Sequence, residues 1–160
     1  MDTHAKHGLF LRFCVVLLAS IAPLIFWLYR EDQVSISEFW GTSLTPLFIF
    51  TNAATSYFFF SLEKWKPSAV FLLLLTAFSV EDFFVLHNIF AASFFLYNFI
   101  PLATDKRLYY YIAPYVLSLA FVEIPDIFFS ECLAIFTLCT YHAHRILLIW
   151  HITKSRRRIN

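Results

Sequence analysis

Six side chains in this sequence combine reactive chemistry with a shared level in the chain: Ser35, Ser37, Asp82, His87, Asp126 and Glu131. An imidazole set among carboxylates and hydroxyls can ligate a divalent metal, run general acid–base chemistry or hold a lipid headgroup. His87 and Glu131 each lie about one helical turn inside a long apolar run. An ionisable group there is costly, which makes it a functional candidate by default. In a catalytic arrangement His87 is the general base and Glu131 its orienter or a metal ligand. In a purely structural one, the two side chains pair and lock two helices together. The residue types alone leave a structural pair, a ligand site and a catalytic site all open.

Other polar groups read more plainly. His142 lies eleven residues beyond Glu131, close to the same helical face. His142 and His144 point about 200° apart on a helix, a poor geometry for a shared metal. Arg145 can snorkel to an interface, and Asn52 and Asn98 suit modest hydrogen bonds between helices. Cys14, Cys132 and Cys139 sit in apolar surroundings and read as small hydrophobes, so no disulfide framework is expected. GxSxG, HExxH, Walker and CxxC patterns are absent, and neither a metal nor a cofactor is expected.

The elements that must position these groups are membrane helices. Hydrophobic residues make up 60% of the chain and charged residues 14%, with a mean hydropathy of +0.69. Soluble domains carry about 25% charged residues, and a fold of this size would expose large apolar patches in water. A net charge of +1 gives no bulk attraction for nucleic acid, and none is expected as a partner. Apolar runs predict spans at about 9–29, 39–62, 68–80, 83–103, 108–122 and 127–150. The first run continues past the small residues near Ala19 without a polar break, so it reads as an uncleaved anchor.

Charge fixes the expected count and orientation. Lys6 with Arg12, Lys64 with Lys66, Lys106 with Arg107, and the tail from Lys154 to Arg158 fall on one side of a six-span path. Glu31, Asp32 and Glu38, Glu81 with Asp82, and Glu123 with Asp126 fall on the other, where Arg30 is the one basic exception. By the positive-inside rule the basic side is the cytoplasm. The expectation is therefore an all-α integral membrane bundle of six transmembrane helices, with both termini cytoplasmic. Merging the third and fourth spans would bury Glu81 and Asp82 in hydrocarbon, so a hairpin tip is the cheaper arrangement. Trp27, Trp40, Trp65, the Tyr109–Tyr111 run and Trp150 lie near span ends, where amphipathic rings prefer to sit.

Three segments carry a resemblance. Ser35-Ile36-Ser37-Glu38-Phe39-Trp40 with Thr45-Pro46-Leu47-Phe48-Ile49-Phe50 begins the second span. Leu86-His87-Asn88-Ile89-Phe90-Ala91-Ala92-Ser93-Phe94-Phe95 lies in the fourth, and Phe128-Phe129-Ser130-Glu131-Cys132-Leu133-Ala134-Ile135-Phe136 in the last. In order and spacing they resemble uncharacterised bacterial six-span proteins distantly similar to the DRAM/FRAG group. The loop after the third span is shorter than that family's, and Tyr141 and His142 stand near where its tryptophan is usual. The resemblance implies that Ser35, Ser37, His87 and Glu131 form one polar set, and by analogy it implies lipid handling. The expected function is a membrane module with an outer-leaflet polar site, holding a lipid or a membrane-protein partner. A lipid-modifying enzyme using His87 and Glu131 is the alternative, and a small proton-coupled transporter a weaker one. The expected location is a bacterial cytoplasmic membrane.

Overall fold

A computed structural model describes residues 3–30, 32–120 and 127–159. Among the described residues the chain is helical, with no strand. The α-helices are α1 (Thr3–Leu28), α2 (Thr45–Phe60), α3 (Lys66–Ala77), α4 (Phe84–Thr104), α5 (Ile112–Ala120) and α6 (Ile127–Ile159). Short 3₁₀ turns at Ile36–Gly41, Glu63–Trp65 and Tyr109–Tyr111 precede α2, α3 and α5.

The helix bounds follow local chemistry. Pro46 and Pro67 stand in the first turns of α2 and α3, where a missing N–H leaves no bond unmade. Pro23 and Pro101 lie inside α1 and α4, as helices packed in a membrane protein tolerate. Where the apolar run predicts one helix over 39–62, the structure has a 3₁₀ turn, a break and then α2. Thr42 is extended at the break. The Thr45 hydroxyl lies against the carbonyls of Phe39, Trp40 and Thr42, which stabilises the turn. Hydropathy alone runs across such a break because its flanking residues are apolar. The predicted third span, 68–80, ends at Ala77, because Phe78 is extended and begins the hairpin to α4. The last helix runs on beyond 150 to Ile159, through basic residues that favour helix.

Neighbouring helices pack in the order α4, α3, α2, α1, α6, α5, and α5 returns to α4 to close the ring. One end, here called the Lys64 end, gathers the start of α1 against the end of α2. The end of α4 and the middle of α6 meet Lys64 there as well. The opposite, Glu131 end joins the start of α6 to the connection after α1. It also joins the Trp40 indole to the end of α3, by an N–H donated to the Thr76 carbonyl at 2.8 Å.

Apolar side chains cover the exterior as well as filling the core. Phe10, Leu28, Phe50, Phe84, Val85, Leu96 and Ile100 are exposed, whereas Ser56, Ser68, Asn98, Ser118, Ser130 and His142 are buried. Three helical stretches, Gly8–Leu28, Phe84–Thr104 and Ile127–Ser155, are long and apolar enough to cross a membrane. With its apolar exterior, this makes the chain a membrane protein. At 16, 12 and 9 residues, α2, α3 and α5 are shorter.

Side-chain-to-backbone bonds tie the short α5 into the ring. The Tyr115 hydroxyl donates to the Phe95 carbonyl on α4 at 2.8 Å, and Ser130 on α6 donates to the Ser118 carbonyl at 2.7 Å. Removing the first by Tyr115→Phe keeps the ring and deletes only the donor. The expected loss is about 0.6–1 kcal/mol, read as a small downward shift in thermal unfolding in detergent. A loss of several kcal/mol would mean that the hydroxyl carries more than this one bond.

Candidate functional site

After α1, residues 32–44 cross the Glu131 end and lead into α2. The Arg30 side chain donates to the Gln33 carbonyl at 2.7 Å, and the Val34 N–H to the Glu38 carboxylate at 2.8 Å. Two bonds then pin the segment to α6. The Phe128 N–H, from the first turn of α6, where donors lack helical partners, reaches the Val34 carbonyl at 2.9 Å. The Ile36 N–H donates to the Glu131 carboxylate at 2.6 Å. Aromatic rings seat the same segment from below. Phe39 stacks on Phe26 of α1 at 4.7 Å between centroids and approaches Phe128 at 6.2 Å.

Ser37, buried beside this bond, lines a cavity of about 40 Å³ together with Glu131, Asn52, Leu72, Phe94 and Ile135. A second cavity of about 80 Å³ adjoins it, sharing Ile36, Asn52, Leu72, Phe94 and Ile135. It extends between α1, α2 and α6 to His142, walled by Val16, Ala19, Phe26, Phe58 and Leu138. Taken together as a joint cavity, the two lie between the segment over Glu131 and an aromatic cluster. There the His142 ring lies 4.4 Å from Trp65, 5.0 Å from Phe58 and 5.3 Å from Phe59, centroid to centroid. Thr51, Asn52 and His142 are among its lining residues, and Thr51 Oγ1, Asn52 Nδ2 and His142 Nε2 are buried without a hydrogen-bond partner among the described residues. The remaining walls are mostly hydrocarbon.

Of the residues expected to form the site, Ser37 and Glu131 are brought together. His87 is not among those lining their cavity. Its Nδ1 meets the Phe78 carbonyl at 2.6 Å. A carbonyl only accepts, so Nδ1 carries the proton. His87 thereby satisfies a carbonyl at the end of α3, left over by the helix, and fastens the α3–α4 hairpin. Instead of pairing with each other, His87 and Glu131 each hold a backbone group. Asp82 exchanges hydrogen bonds with Ser79 in the hairpin turn, at 2.8 and 3.1 Å. Ser35 stands just before the 3₁₀ turn and makes no side-chain cap. Asp126 lies outside the described residues. No group of three or more His, Cys, Asp or Glu side chains placed to hold a metal occurs among the described residues.

Sequence motifs give no sign of the Ile36 amide, of Thr51 or of His142 at these cavities. The Ile36 contribution is backbone and leaves no side-chain signal. Thr51 and Thr55 lie one turn apart on α2, a polar face that a helical projection makes visible.

No family model, no curated protein and no solved structure matches the chain.

Glu131→Ala leaves the Ile36 N–H without its acceptor. The expected cost is about 1–3 kcal/mol, read by thermal unfolding in detergent. Glu131→Gln keeps a carbonyl oxygen in reach and is expected to lose less. An alanine variant as stable as wild type would show that the bond contributes nothing.

Proposed function

We propose that this protein is a six-span membrane module that takes the apolar part of a lipid-like ligand into the joint cavity, with the ligand's polar end at Ser37 and Glu131. The observation that carries the reading is the pair of adjoining cavities, walled mostly by hydrocarbon, with Ser37 and Glu131 among the residues lining one of them. Apolar cavities stay dry, and one of about 150 Å³ accepts a benzene-sized guest. A space on this scale suits a short stretch of hydrocarbon from a larger molecule. Binding sites of this kind combine apolar walls with a few polar groups that fix orientation. The resemblance of the Ser35–Trp40, Leu86–Phe95 and Phe128–Phe136 segments to the DRAM/FRAG-like bacterial proteins supports the same class of ligand.

In this reading the three long helices cross the bilayer fully. The shorter α2, α3 and α5 make the other three crossings together with the 3₁₀ turns and connecting segments at their ends. The Lys64 end faces the cytoplasm, by the clustering of basic residues there, and the Glu131 site faces the outer leaflet of a bacterial cytoplasmic membrane. This orientation is checked by labelling. With the natural cysteines replaced by alanine, Ser43→Cys is expected to react with an impermeant maleimide in intact cells. Lys154→Cys is expected to react only after permeabilisation. The reverse pattern would invert the topology.

Occupancy is checked by filling the cavity. Ala19→Leu places a larger side chain on the cavity wall. Native mass spectrometry of the purified protein is expected to show co-purified lipid on wild type and less on this variant, with thermal stability unchanged or raised. Equal lipid on both proteins would show that the cavity does not hold it.

A further inference from the structure

At the opposite end of the bundle a pocket of about 290 Å³ opens between α4, α6 and the connections after α2 and α4. Lys64, Lys106, Arg107 and Arg145 line it, four cations from three separated stretches of chain, and Asp105 is the single carboxylate among its lining residues. Trp65 and Tyr141, both buried, form its inner wall.

Asp105 is occupied inside the protein. The Tyr141 hydroxyl donates to its Oδ2 at 2.8 Å, and the Arg107 N–H to its Oδ1 at 3.1 Å. Partial burial acts to raise its pKa, but these two bonds, the Arg145 charge and the Leu108 N–H outweigh it and hold the carboxyl below its ordinary value. It is therefore ionised at neutral pH and orients Tyr141 beside Arg145. Lys64 gives one of its three protons to the Thr104 hydroxyl at 3.2 Å. Cationic donors remain in excess around the mouth. By contrast, Lys66 sits outside the pocket, paired to Glu63 at 2.6 Å.

Guanidinium groups match the oxygens of a phosphate in pairs, and a lysine adds a movable point charge. Basic pockets between membrane helices on the cytoplasmic side are suited to phosphoryl headgroups. The exposed rings of Tyr109 and Tyr110, in the turn that follows Arg107 and Leu108, put an interfacial belt beside this pocket. We infer that the pocket binds a phosphate group, that of an anionic phospholipid in the adjoining leaflet. It is separate from the cavity at Glu131 and does not depend on what that cavity holds.

The test uses the full chain purified in detergent. Thermal unfolding is followed while short-chain phosphatidic acid, phosphatidylcholine of the same chain length, or inorganic phosphate is titrated in. Phosphatidic acid is expected to raise the unfolding temperature. Its apparent Kd is expected to weaken about fivefold for each cation removed in Lys106→Gln, Arg107→Gln and Arg145→Gln, from about 1 kcal/mol per charge. Arg145→Lys, which keeps the charge, is expected to retain most of the affinity, and Lys66→Gln all of it. Lys106 and Arg107 are exposed, so their variants are expected to fold. If inorganic phosphate reproduces the pocket-dependent shift, the phosphate site stands with a soluble source. If only phosphatidic acid does so, the source is the membrane. Equal shifts in the pocket variants and in Lys66→Gln, or no shift with either phosphate compound, would overturn the inference.

Discussion

The bond from the Ile36 N–H to the Glu131 carboxylate is the contact on which the Glu131 end depends. A backbone donor buried under a connection has no water to turn to, and leaving it unmade is expensive. A carboxylate in an apolar run is costly for the same reason. Each group resolves the other's problem, across 95 residues of sequence. With Phe128 donating to Val34 and Phe39 stacked on Phe26, the connection after α1 becomes a fitted cover over the helices. The cavity lined by Ser37 and Glu131 exists because that cover sits where it does.

The same rule organises the rest of the ring. Carbonyls left over at helix ends, or accessible inside the bundle, receive side-chain donors from another element of the ring. His87 serves Phe78, Trp40 serves Thr76, Tyr115 serves Phe95 and Ser130 serves Ser118. Each bond is modest by itself, about 0.6 kcal/mol on average in a membrane setting. Together they specify which helix end meets which, while the exposed aliphatic and aromatic side chains set no such register. The two ends consequently differ in chemistry. One carries a carboxylate over a hydrocarbon cavity, and the other a ring of cations around a polar pocket.

Much of this was legible from residue types. The apolar runs located α1, α4 and α6, and the cost of buried charge singled out Glu131 and His87. The alternation of charge put Lys64, Lys106, Arg107 and the basic tail on one side, and the first three line one pocket. What escaped was the partner of each polar group, because those partners are backbone atoms. Neither Phe78 nor Ile36 differs as a side chain from its apolar neighbours, so an expected His87–Glu131 pair resolved into two separate backbone contacts. The break before α2 was hidden in the same way, since Phe39 and Leu47 are equally apolar. Gly41, Thr42 and Ser43 before Pro46 are the local signal for it. Arg145, which reads alone as a snorkelling cation, gains its meaning only when α6 brings it to Asp105 and Tyr141.

Whether Glu131 pins the connection after α1 over the cavity is read from amide hydrogen exchange at Ile36. The protein would be placed in lipid nanodiscs and followed with residue-resolving fragmentation. The Ile36 amide is expected to be strongly protected in wild type and to exchange far faster in Glu131→Ala. An Ile36 amide that exchanges rapidly in wild type, or stays equally protected without the carboxylate, would contradict this role of Glu131.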